Sequence, residues 1–207
     1  MPLHSKKVFF ANYVFDVGTN VYEPAEDSFF FAENMRIKCD EYVLDMGTGC
    51  GILGIVAAEK ASRVVAIDIN PYAVHYAKEN AEVNRTRGKL SFVQGDLFAP
   101  LRSEKQFDLV LFNAPYLPEE SFGSGSWLER AWNGGKTGRQ VINRFILDAP
   151  KYLKEAGRVL LMLSTVTGVN ATLLKFREGG FNAKVAARLE LPFFETLELL
   201  EAKHCRS

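Results

Sequence analysis

The stretch that decides the fold is LDMGTGCGILG, residues 44–54, in which a short apolar run gives way to closely spaced glycines and then to a second apolar run. The glycines at positions 47, 49 and 51 let the backbone turn tightly and let a ligand approach the main chain where a side chain would clash. An apolar strand, a glycine-rich turn and an apolar helix in this order predict the first unit of a nucleotide-binding α/β sheet.

From this unit onward, strand-like and helix-like segments alternate, which is typical of a parallel sheet with crossover helices. The periodicity predicts strands at residues 42–45, 64–69, 90–93, 107–112 and 158–163, and helices at residues 52–60, 71–84, 138–153 and 171–177. Two further strand-like runs, residues 181–191 and 194–202, are joined through Pro192, and so short a connection favours an antiparallel pair. We therefore expect a mostly parallel α/β sheet with an antiparallel strand at its C-terminal end.

Length and charge bound the class of protein. The chain has 207 residues, 47% of them hydrophobic, which suits one well-filled domain over residues 1–207. We expect a core over 41–207 and an N-terminal extension over 1–40 that covers the cofactor site. The 25 basic and 25 acidic residues balance, which predicts neither stable duplex nucleic acid nor an anionic membrane as a partner. No apolar run approaches the roughly 20 residues of a membrane span, and no signal-peptide pattern is present, so we expect a cytoplasmic protein.

Cysteine and histidine positions argue against a metal centre. The three cysteines, at positions 39, 50 and 205, are far apart and odd in number, unlike a disulfide framework or a Cys-based zinc site. The three histidines, at positions 4, 75 and 204, form no ligand spacing with them. We expect no bound metal.

Acidic residues lie at the carboxyl ends of three successive predicted strands: Asp45, Asp68 and Asp96. Each alone also fits an ordinary turn or helix cap, but together they mark the sheet edge at which open α/β sheets bind ligands. A dinucleotide fingerprint needs a small residue at position 52, where this chain has Ile52. A carboxylate beside the glycine turn suits a cofactor with a cationic amino-acid end, which favours S-adenosylmethionine over NAD.

The positions of the acids along the sheet edge predict which part of that cofactor each would bind. Asp68 is placed to take ribose hydroxyls, about 20 residues after the glycine turn. Asp96 can accept from an adenine amino group, and we expect Leu97 and Phe98 to sandwich the ring.

The fourth predicted strand ends in an unusual motif, Asn113-Ala114-Pro115-Tyr116. The asparagine carboxamide oxygen and a following main-chain carbonyl offer two acceptors that can grip both hydrogens of a planar NH2 group. Pro115 biases Ala114 toward an extended conformation, and Tyr116 supplies a flat wall. The alternative is a plain Asn-Ala-Pro turn, which becomes the weaker interpretation beside a cofactor site.

A second glycine-rich segment, GGKTG at residues 134–138, is similar to the end of a phosphate-binding loop. A true loop of that kind needs a glycine at position 130, which is Arg130, and a preceding strand. The basic residues around it, Lys136, Arg139 and Arg144, are candidates for contact with a macromolecular substrate or are simply solvated.

With these residues identified, the chain resembles the release-factor glutamine methyltransferases, the HemK-like branch of the class I S-adenosylmethionine-dependent methyltransferases. The likeness rests on motifs that occur in order along most of the chain: VYEPAEDS, LDMGTGCG, DINP, LFNAPY and AWNGGKTGRQVINRF. It is nearer to the eukaryotic and archaeal type. The bacterial type carries a helical N-terminal domain, and we expect the roughly 40 residues before the core to be too few for one. The resemblance implies a Rossmann-like class I methyltransferase fold, with a mostly parallel seven-stranded sheet and helices on both faces.

The resemblance also implies roles for individual residues. The cofactor would be served at its methionine end by Ser28 and Asp45, along the backbone by Gly47 and Gly49, at the ribose by Asp68, at the adenine by Asp96 with Leu97, and by Asn113 beside the methyl group. The substrate glutamine would be held by Asn113 together with the main chain of Ala114, Pro115 and Tyr116.

Two positions depart from the family pattern. Ala114 replaces the first proline of the usual Asn-Pro-Pro-Tyr motif, which keeps the accepting carbonyl and loses rigidity. Ser28 replaces the usual threonine and keeps the hydroxyl. We expect activity to persist.

The implied substrate is the glutamine of the Gly-Gly-Gln motif in class 1 peptide release factors, and the implied partner is a small zinc-binding activator subunit, as in eukaryotes. Other functions remain open from the residues. The same acceptors would grip the N6 amine of adenine in nucleic acid or a protein lysine, and the fold would also suit a non-catalytic partner subunit.

Overall fold

A computed structural model describes residues 5–118, 125–192 and 195–204. His4, Cys205 and the start of the predicted strand 194–202 lie outside the described residues. The described strands are β1 Ser5–Phe10, β2 Tyr13–Gly18, β3 Tyr42–Met46, β4 Arg63–Asp68, β5 Leu90–Gln94, β6 Phe107–Asn113, β7 Leu153–Ser164, β8 Phe181–Glu190 and β9 Thr196–His204. The described α-helices are α1 Glu26–Asn34, α2 Ile52–Ala57, α3 Pro71–Val83, α4 Trp127–Arg130, α5 Gln140–Asp148 and α6 Val169–Glu178.

The central sheet has seven strands in the order β5-β4-β3-β6-β7-β9-β8. Neighbours from β5 to β7 pair in parallel, whereas β9 runs antiparallel to both β7 and β8. The predicted fold class, a mostly parallel seven-stranded sheet with a C-terminal antiparallel strand, is therefore confirmed. The first four predicted strands agree with β3 to β6 within one residue at each end.

The strand order places a crevice at the centre of the sheet. The chain passes from β3 outward to β4 and β5, then returns to the other side of β3 to form β6. The carboxyl ends of β3 and β6 therefore mark a topological switch point, where loops leave in opposite directions and ligands bind in open α/β sheets.

Alternate residues of the central strands face two separate apolar cores. Val43, Leu109 and Leu111 belong to the core that also contains residues of α1, α2, α3 and β2. Leu44 and Val110 belong to the other core, which contains residues of α5 and α6. Both faces of the sheet are thus covered by helices, as expected from the continuous apolar strands.

The region after the glycine-rich loop differs from the predicted helix at residues 138–153. Gly138 has a φ of 69°, a left-handed conformation that an α-helix cannot contain. At the other end, α5 stops at Asp148, and Pro150, which lacks a backbone N–H, lies in a short 3-10 turn, Ala149–Lys151. Leu153 is already the first residue of β7. The helix prediction was too long because the apolar periodicity continued past both breakers.

The N-terminal hairpin β1–β2 was missed from the sequence, and α3 explains how it is held. Asn80 Oδ1 accepts from the backbone N of Asp16 at 2.8 Å, and its Nδ2 donates to the Asp16 carbonyl at 2.9 Å. Asn84, one turn later, makes the same pair of contacts with the backbone of Val14, at 3.0 and 2.7 Å. Two carboxamides at i and i+4 therefore make the hydrogen bonds that a neighbouring strand would otherwise make with the backbone N–H and C=O groups of β2.

Candidate functional site

A cavity of about 430 Å³ opens at the carboxyl ends of β3, β4 and β6. Its floor is the glycine-rich turn after β3, and most of its other walls come from three groups of residues. These walls are formed by residues of the N-terminal segment (Val21, Tyr22, Pro24, Asp27, Ser28), of the strand ends (Asp68, Asp96, Leu97, Asn113) and of the loop around α4 (Trp127, Arg130, Trp132, Asn133). The volume lies in the usual range of about 300–1,000 Å³ for ligand pockets.

The glycine-rich turn has the backbone that its sequence predicts. Gly47, Gly49 and Gly51 have φ values of 67°, 56° and 94°, all in the left-handed region. A Cβ at Gly51 would lie 3.2 Å from the main chain of Ala77, whereas one at Gly49 would meet no described atom within 4 Å. Gly51 is therefore needed for helix packing, and Gly49 leaves open space on the cavity side.

Asp45 lies behind this turn and outside the cavity wall. Its side chain is fully buried, and Oδ2 accepts from Thr48 Oγ1 at 2.6 Å and from the Gly54 backbone N at 2.9 Å. Oδ1 has no partner in the described part of the chain. Burial raises the pKa of Asp45 to about 6, against the lowering effect of these two hydrogen bonds. The carboxylate holds the turn in shape, and its predicted contact with the methionine end stays a prediction.

Asp68 joins the turn to the cavity. Its Oδ2 accepts from the Gly49 backbone N at 2.9 Å, and its Oδ1 accepts from the Asn70 backbone N at 2.9 Å. Burial raises the pKa of Asp68, while these hydrogen bonds lower it. A carboxylate that is held by two backbone donors and still borders the cavity can accept from ligand hydroxyls with its remaining lone pairs.

Asp96 and Leu97 line the same cavity at the end of β5. Asp96 Oδ2 accepts from Arg144 Nη2 at 2.6 Å, and both side chains are well exposed. Leu97 has a φ of 48°, an uncommon conformation for a side chain other than glycine. The expectation that Phe98 covers one face of an adenine ring is wrong, because Phe98 is buried in the core and stacks on Phe145 and Tyr152.

Asn113, the last residue of β6, is held by two residues of the N-terminal segment. Its Nδ2 donates to Asp27 Oδ2 at 2.8 Å and lies 3.3 Å from Ser28 Oγ. Its Oδ1 is buried and has no hydrogen-bond partner among the described residues. A buried carboxamide oxygen without a partner is costly, which makes it a strong candidate for an acceptor that a ligand satisfies.

The rest of the motif is fixed by packing. Ala114 is 2% exposed and belongs to the same core as α5. Tyr116 is partly buried, and burial raises its pKa, so the phenol stays protonated at neutral pH. The GGKTG segment lies against this motif, since a Cβ at Gly138 would come within 2.3 Å of the Tyr116 carbonyl oxygen.

Several site residues were not predicted as such from the sequence. Asp27 and Tyr22 stand beside Ser28 in the VYEPAEDS segment, and that quoted motif was the available signal. The loop wall carries Trp127 with the Arg130 guanidinium 4.9 Å above its ring, and only the length of the loop pointed there.

Of Lys136, Arg139 and Arg144, the three basic residues singled out around the GGKTG segment, Arg144 is the one that borders the cavity. Arg139 instead donates from Nη1 to the carbonyls of Thr167 and Gly168 and to Thr172 Oγ1, so it braces the start of α6. Lys136 is exposed and outside the cavity lining.

Two classes of feature are absent from residues 5–118, 125–192 and 195–204. Within these ranges, no group of three or more His, Cys, Asp or Glu side chains is arranged to hold a metal ion. None of the helices there is both long and apolar enough to span a bilayer.

Comparison with known proteins yields both sequence and structural relatives. Residues 1–125 match the family model of the methyltransferase small domain. A protein of Methanocaldococcus jannaschii, provisionally named a protein N5-glutamine methyltransferase, is 43% identical over 86% of this chain and 89% of its own length. The mouse methyltransferase HEMK2 is 34% identical over 69% of this chain and 71% of its own.

A solved structure shares the fold. It is the Mtq2–Trm112 complex of E. cuniculi, responsible for methylation of the eRF1 translation termination factor, and one chain of it superposes with a TM-score of 0.72 at 23% identity. The match covers 90% of this chain and all of that chain.

Proposed function

Because this chain belongs to the methyltransferase small-domain family, as its motifs indicated, we propose that it transfers a methyl group from S-adenosylmethionine to a protein glutamine. The proposed product is N5-methylglutamine in the Gly-Gly-Gln motif of a class 1 peptide release factor. One observation carries the proposal: at the switch point, Asn113 borders the cavity with a buried carboxamide oxygen that has no partner among the described residues.

The cavity suits a cofactor rich in hydrogen-bond donors. Asp68, Asp96 and Asn113 bring acceptor oxygens to its walls. The arginines that border it are already engaged, since Arg144 pairs with Asp96 and Arg130 lies over Trp127. This balance fits an ammonium group, ribose hydroxyls and an adenine amine, and it does not fit a polyphosphate, which needs free cations and backbone donors.

Each of these residues would bind the part of the cofactor that the family resemblance implies. Asp68 would hold the ribose, Asp96 with Leu97 the adenine, and the main chain at Gly47 and Gly49 would approach the cofactor directly. Ser28 and Asp45 would serve its methionine end. The Ser28 hydroxyl donates its hydrogen to Asp27 Oδ1 at 3.2 Å, so toward a ligand it would act as a hydrogen-bond acceptor.

S-adenosylmethionine, when bound, supplies an electrophilic methyl group. The amide nitrogen of glutamine is a weak nucleophile, because its lone pair is delocalised into the carbonyl. Catalysis by this chain therefore consists of orienting the amide and excluding water, and no strong base is required. Asn113 Oδ1 and the Ala114 carbonyl would accept the two amide hydrogens and stabilise the positive charge that develops on nitrogen in the transition state. One of these hydrogens would then leave as a proton to solvent, which gives the neutral N-methyl amide.

The alanine in the motif is compatible with this role. Ala114 is buried in the apolar core, and Pro115 restricts its backbone from the other side. Packing and the following proline therefore provide rigidity that a proline at position 114 would otherwise supply.

The proposal extends to partners and place of action. We assign the chain one domain over residues 1–207, whose first 40 residues cover the cofactor. We also assign it a small zinc-binding activator subunit and a cytoplasmic release factor as substrate. Methylation in the presence and absence of such a subunit tests the partner separately from the reaction.

The decisive experiment measures transfer of labelled methyl groups. The chain, alone and with an activator subunit, is incubated with labelled S-adenosylmethionine and a class 1 release factor, alongside a release factor whose Gly-Gly-Gln glutamine is replaced by alanine. We expect label on the first protein and none on the second. Label on both would move the methylated residue elsewhere, and label on neither in any combination would overturn the proposal.

An active-site variant completes the test. Asn113→Ala should lower kcat by about 10²–10³-fold, the effect of removing a positioned transition-state hydrogen-bonding group, and leave cofactor affinity within a few-fold. Asn143→Ala, an exposed asparagine on α5, is the matched control and should be as active as the unaltered chain. Equal turnover in the two variants would remove Asn113 from the mechanism.

A further inference from the structure

We propose that Asp27 is a positioning residue for Asn113: its carboxylate fixes the orientation of the Asn113 carboxamide so that Oδ1, and not Nδ2, is left for the substrate. The inference rests on the proposed function, because the substrate amide is what would need that oxygen. Asp27 also lines the cavity, and the role proposed for it here acts through Asn113.

The carboxamide needs an external cause for its orientation. Its oxygen and its nitrogen have nearly the same size, so rotation by 180° about the last side-chain bond changes little in packing and everything in hydrogen bonding. Only the flip state with oxygen toward the substrate offers an acceptor. The other state presents N–H groups to a substrate NH2, which cannot accept them.

Asp27 supplies that cause, because an ionised carboxylate only accepts hydrogen bonds. Its Oδ2 lies 2.8 Å from Asn113 Nδ2. The flipped carboxamide would bring Asn113 Oδ1 to the same place and set two acceptor oxygens against each other. Ser28 Oγ, at 3.3 Å, lies beside the same nitrogen, so both hydrogens of the Asn113 amide have acceptors on the N-terminal side.

Asp27 is itself held by donors. Its Oδ1 accepts from Tyr22 Oη at 3.0 Å, from the Ser28 backbone N at 2.6 Å and from Ser28 Oγ at 3.2 Å. It lies in the first turn of α1, where the helix dipole favours a negative charge. Burial and the neighbouring Asp27 raise the pKa of Tyr22, which keeps the phenol a donor at neutral pH.

The variant that isolates this role is Asp27→Asn, which keeps the shape of the side chain and adds N–H donors. Such a side chain can pair with either flip state of Asn113. We expect kcat to fall about tenfold or more while cofactor affinity, measured by calorimetry, stays within about threefold. Glu26→Gln, which neutralises the exposed neighbouring carboxylate of the same helix turn, should leave both quantities unchanged.

A double-mutant cycle separates positioning from general damage. Once Asn113 is alanine, Asp27 has nothing to orient, so Asp27→Asn should lower kcat no further in the Asn113→Ala background. Additive losses would overturn the inference. Asp27→Glu, which keeps an acceptor-only group, should recover part of the activity, and it serves as the second variant if Asp27→Asn folds poorly.

A spectroscopic readout makes the result independent of the substrate. The side-chain NH2 signals of Asn113 in a ¹H–¹⁵N spectrum are assigned by their loss in Asn113→Ala. We expect Asp27→Asn to shift them and Glu26→Gln to leave them in place. Unmoved signals in Asp27→Asn would overturn the inference, even if the release factor is methylated. Shifted signals with no methylation by the unaltered chain would support the positioning contact and reject only the proposed substrate.

Discussion

The two sides of the cavity are built in different ways. On the cofactor side, the contacts that shape the glycine turn join residues close in sequence: Asp45 reaches Thr48 and Gly54, 3 and 9 positions away, and Asp68 reaches Gly49 across 19. On the substrate side, Asn113 is held by Asp27, 86 residues earlier. The glycine turn of one side is therefore shaped within a single βαβ unit, β3–α2–β4, and the other side exists only when the whole chain has folded.

The difference teaches where function is vulnerable. Changes on the cofactor side should alter binding of the cofactor through local contacts. Changes on the substrate side should alter turnover, because they disturb the relative placement of distant segments. Three variants test this division, and a fourth tests the buried carboxylate on its cofactor side; they are taken here in order of decreasing expected effect.

Gly138→Ala should have the largest effect, on the substrate side. The new Cβ would lie 2.3 Å from the Tyr116 carbonyl oxygen, at a φ of 69°, so the Asn-Ala-Pro-Tyr motif would have to move. A displacement of about 1 Å in a positioned group can cost about 10²-fold in rate, and we expect such a fall in kcat with little change in cofactor affinity.

The control for Gly138→Ala is Gly180→Ala. Gly180 has a φ of 82°, and an added Cβ there meets no described atom within 4 Å, so this variant carries the backbone strain without the collision. Both variants should lose about 1–2 kcal/mol of unfolding free energy from that strain. Steady-state kinetics should then show a low kcat for Gly138→Ala alone. Similar kcat values in the two variants would contradict the assignment of Gly138 to the substrate side.

The second prediction concerns the buried carboxylate of the cofactor side. The pKa of Asp45 is about 6 in the folded protein, above its ordinary value of 3.8. The folded state thus binds this proton more tightly than the unfolded state does. Protonated Asp45 contributes about 2–3 kcal/mol to the free energy of unfolding. This contribution is fully present below about pH 4 and is lost as the pH rises through about 6.

Asp45→Asn isolates this group, because asparagine does not titrate. Urea unfolding from about pH 4 to pH 7 should show that the stability of the unaltered chain falls relative to Asp45→Asn. Parallel pH profiles for the two proteins would mean that Asp45 is ionised with an ordinary pKa.

The sequence predicted the cofactor side better than the substrate side for the same physical reason. Glycines with positive φ and acids at strand ends have local causes, so Gly47, Gly49 and Asp68 were found with their places in the fold. Asp27 carried no such signal, since a carboxylate near a helix start is an ordinary feature until tertiary structure brings it to Asn113. The prediction for Phe98 was wrong for the converse reason. Phe98 is close to Asp96 in sequence, but its ring packs on Tyr152 in the core and does not reach the cavity.

The fold shows the same limit. Apolar runs predicted the parallel strands because burial on both faces dictates them. The hairpin β1–β2 instead depends on Asn80 in α3 and on Asn84 just after that helix, both far along the chain. Hydrogen bonds between a helix side chain and a distant backbone leave no periodic pattern in the sequence.

Asp68→Asn should come third. The amide would place N–H donors where Gly49 N or Asn70 N now donates to a carboxylate oxygen, and a hydrogen bond to a charged group is worth about 1.5–3 kcal/mol. We expect cofactor affinity by calorimetry to fall about ten- to thirtyfold, with kcat at saturating cofactor within about threefold. Asp16→Asn on β2 is the control and should bind normally. A fall in kcat instead of affinity would place Asp68 on the substrate side of the division.

The smallest effect should come from Arg144→Met, which removes a long-range contact from the cofactor side. Arg144 on α5 pairs with Asp96 at 2.6 Å across 48 residues, but the side chains are 58% and 43% exposed. Exposed ion pairs contribute about 0–1 kcal/mol, and a carboxylate has lone pairs enough to accept from both a guanidinium and an adenine amine. Cofactor affinity should therefore change by less than about fivefold, and the difference should shrink further in high salt. A loss of tenfold or more would show that the cofactor side also depends on a distant helix, and the distinction between a locally built and a globally assembled half of the cavity would then fail.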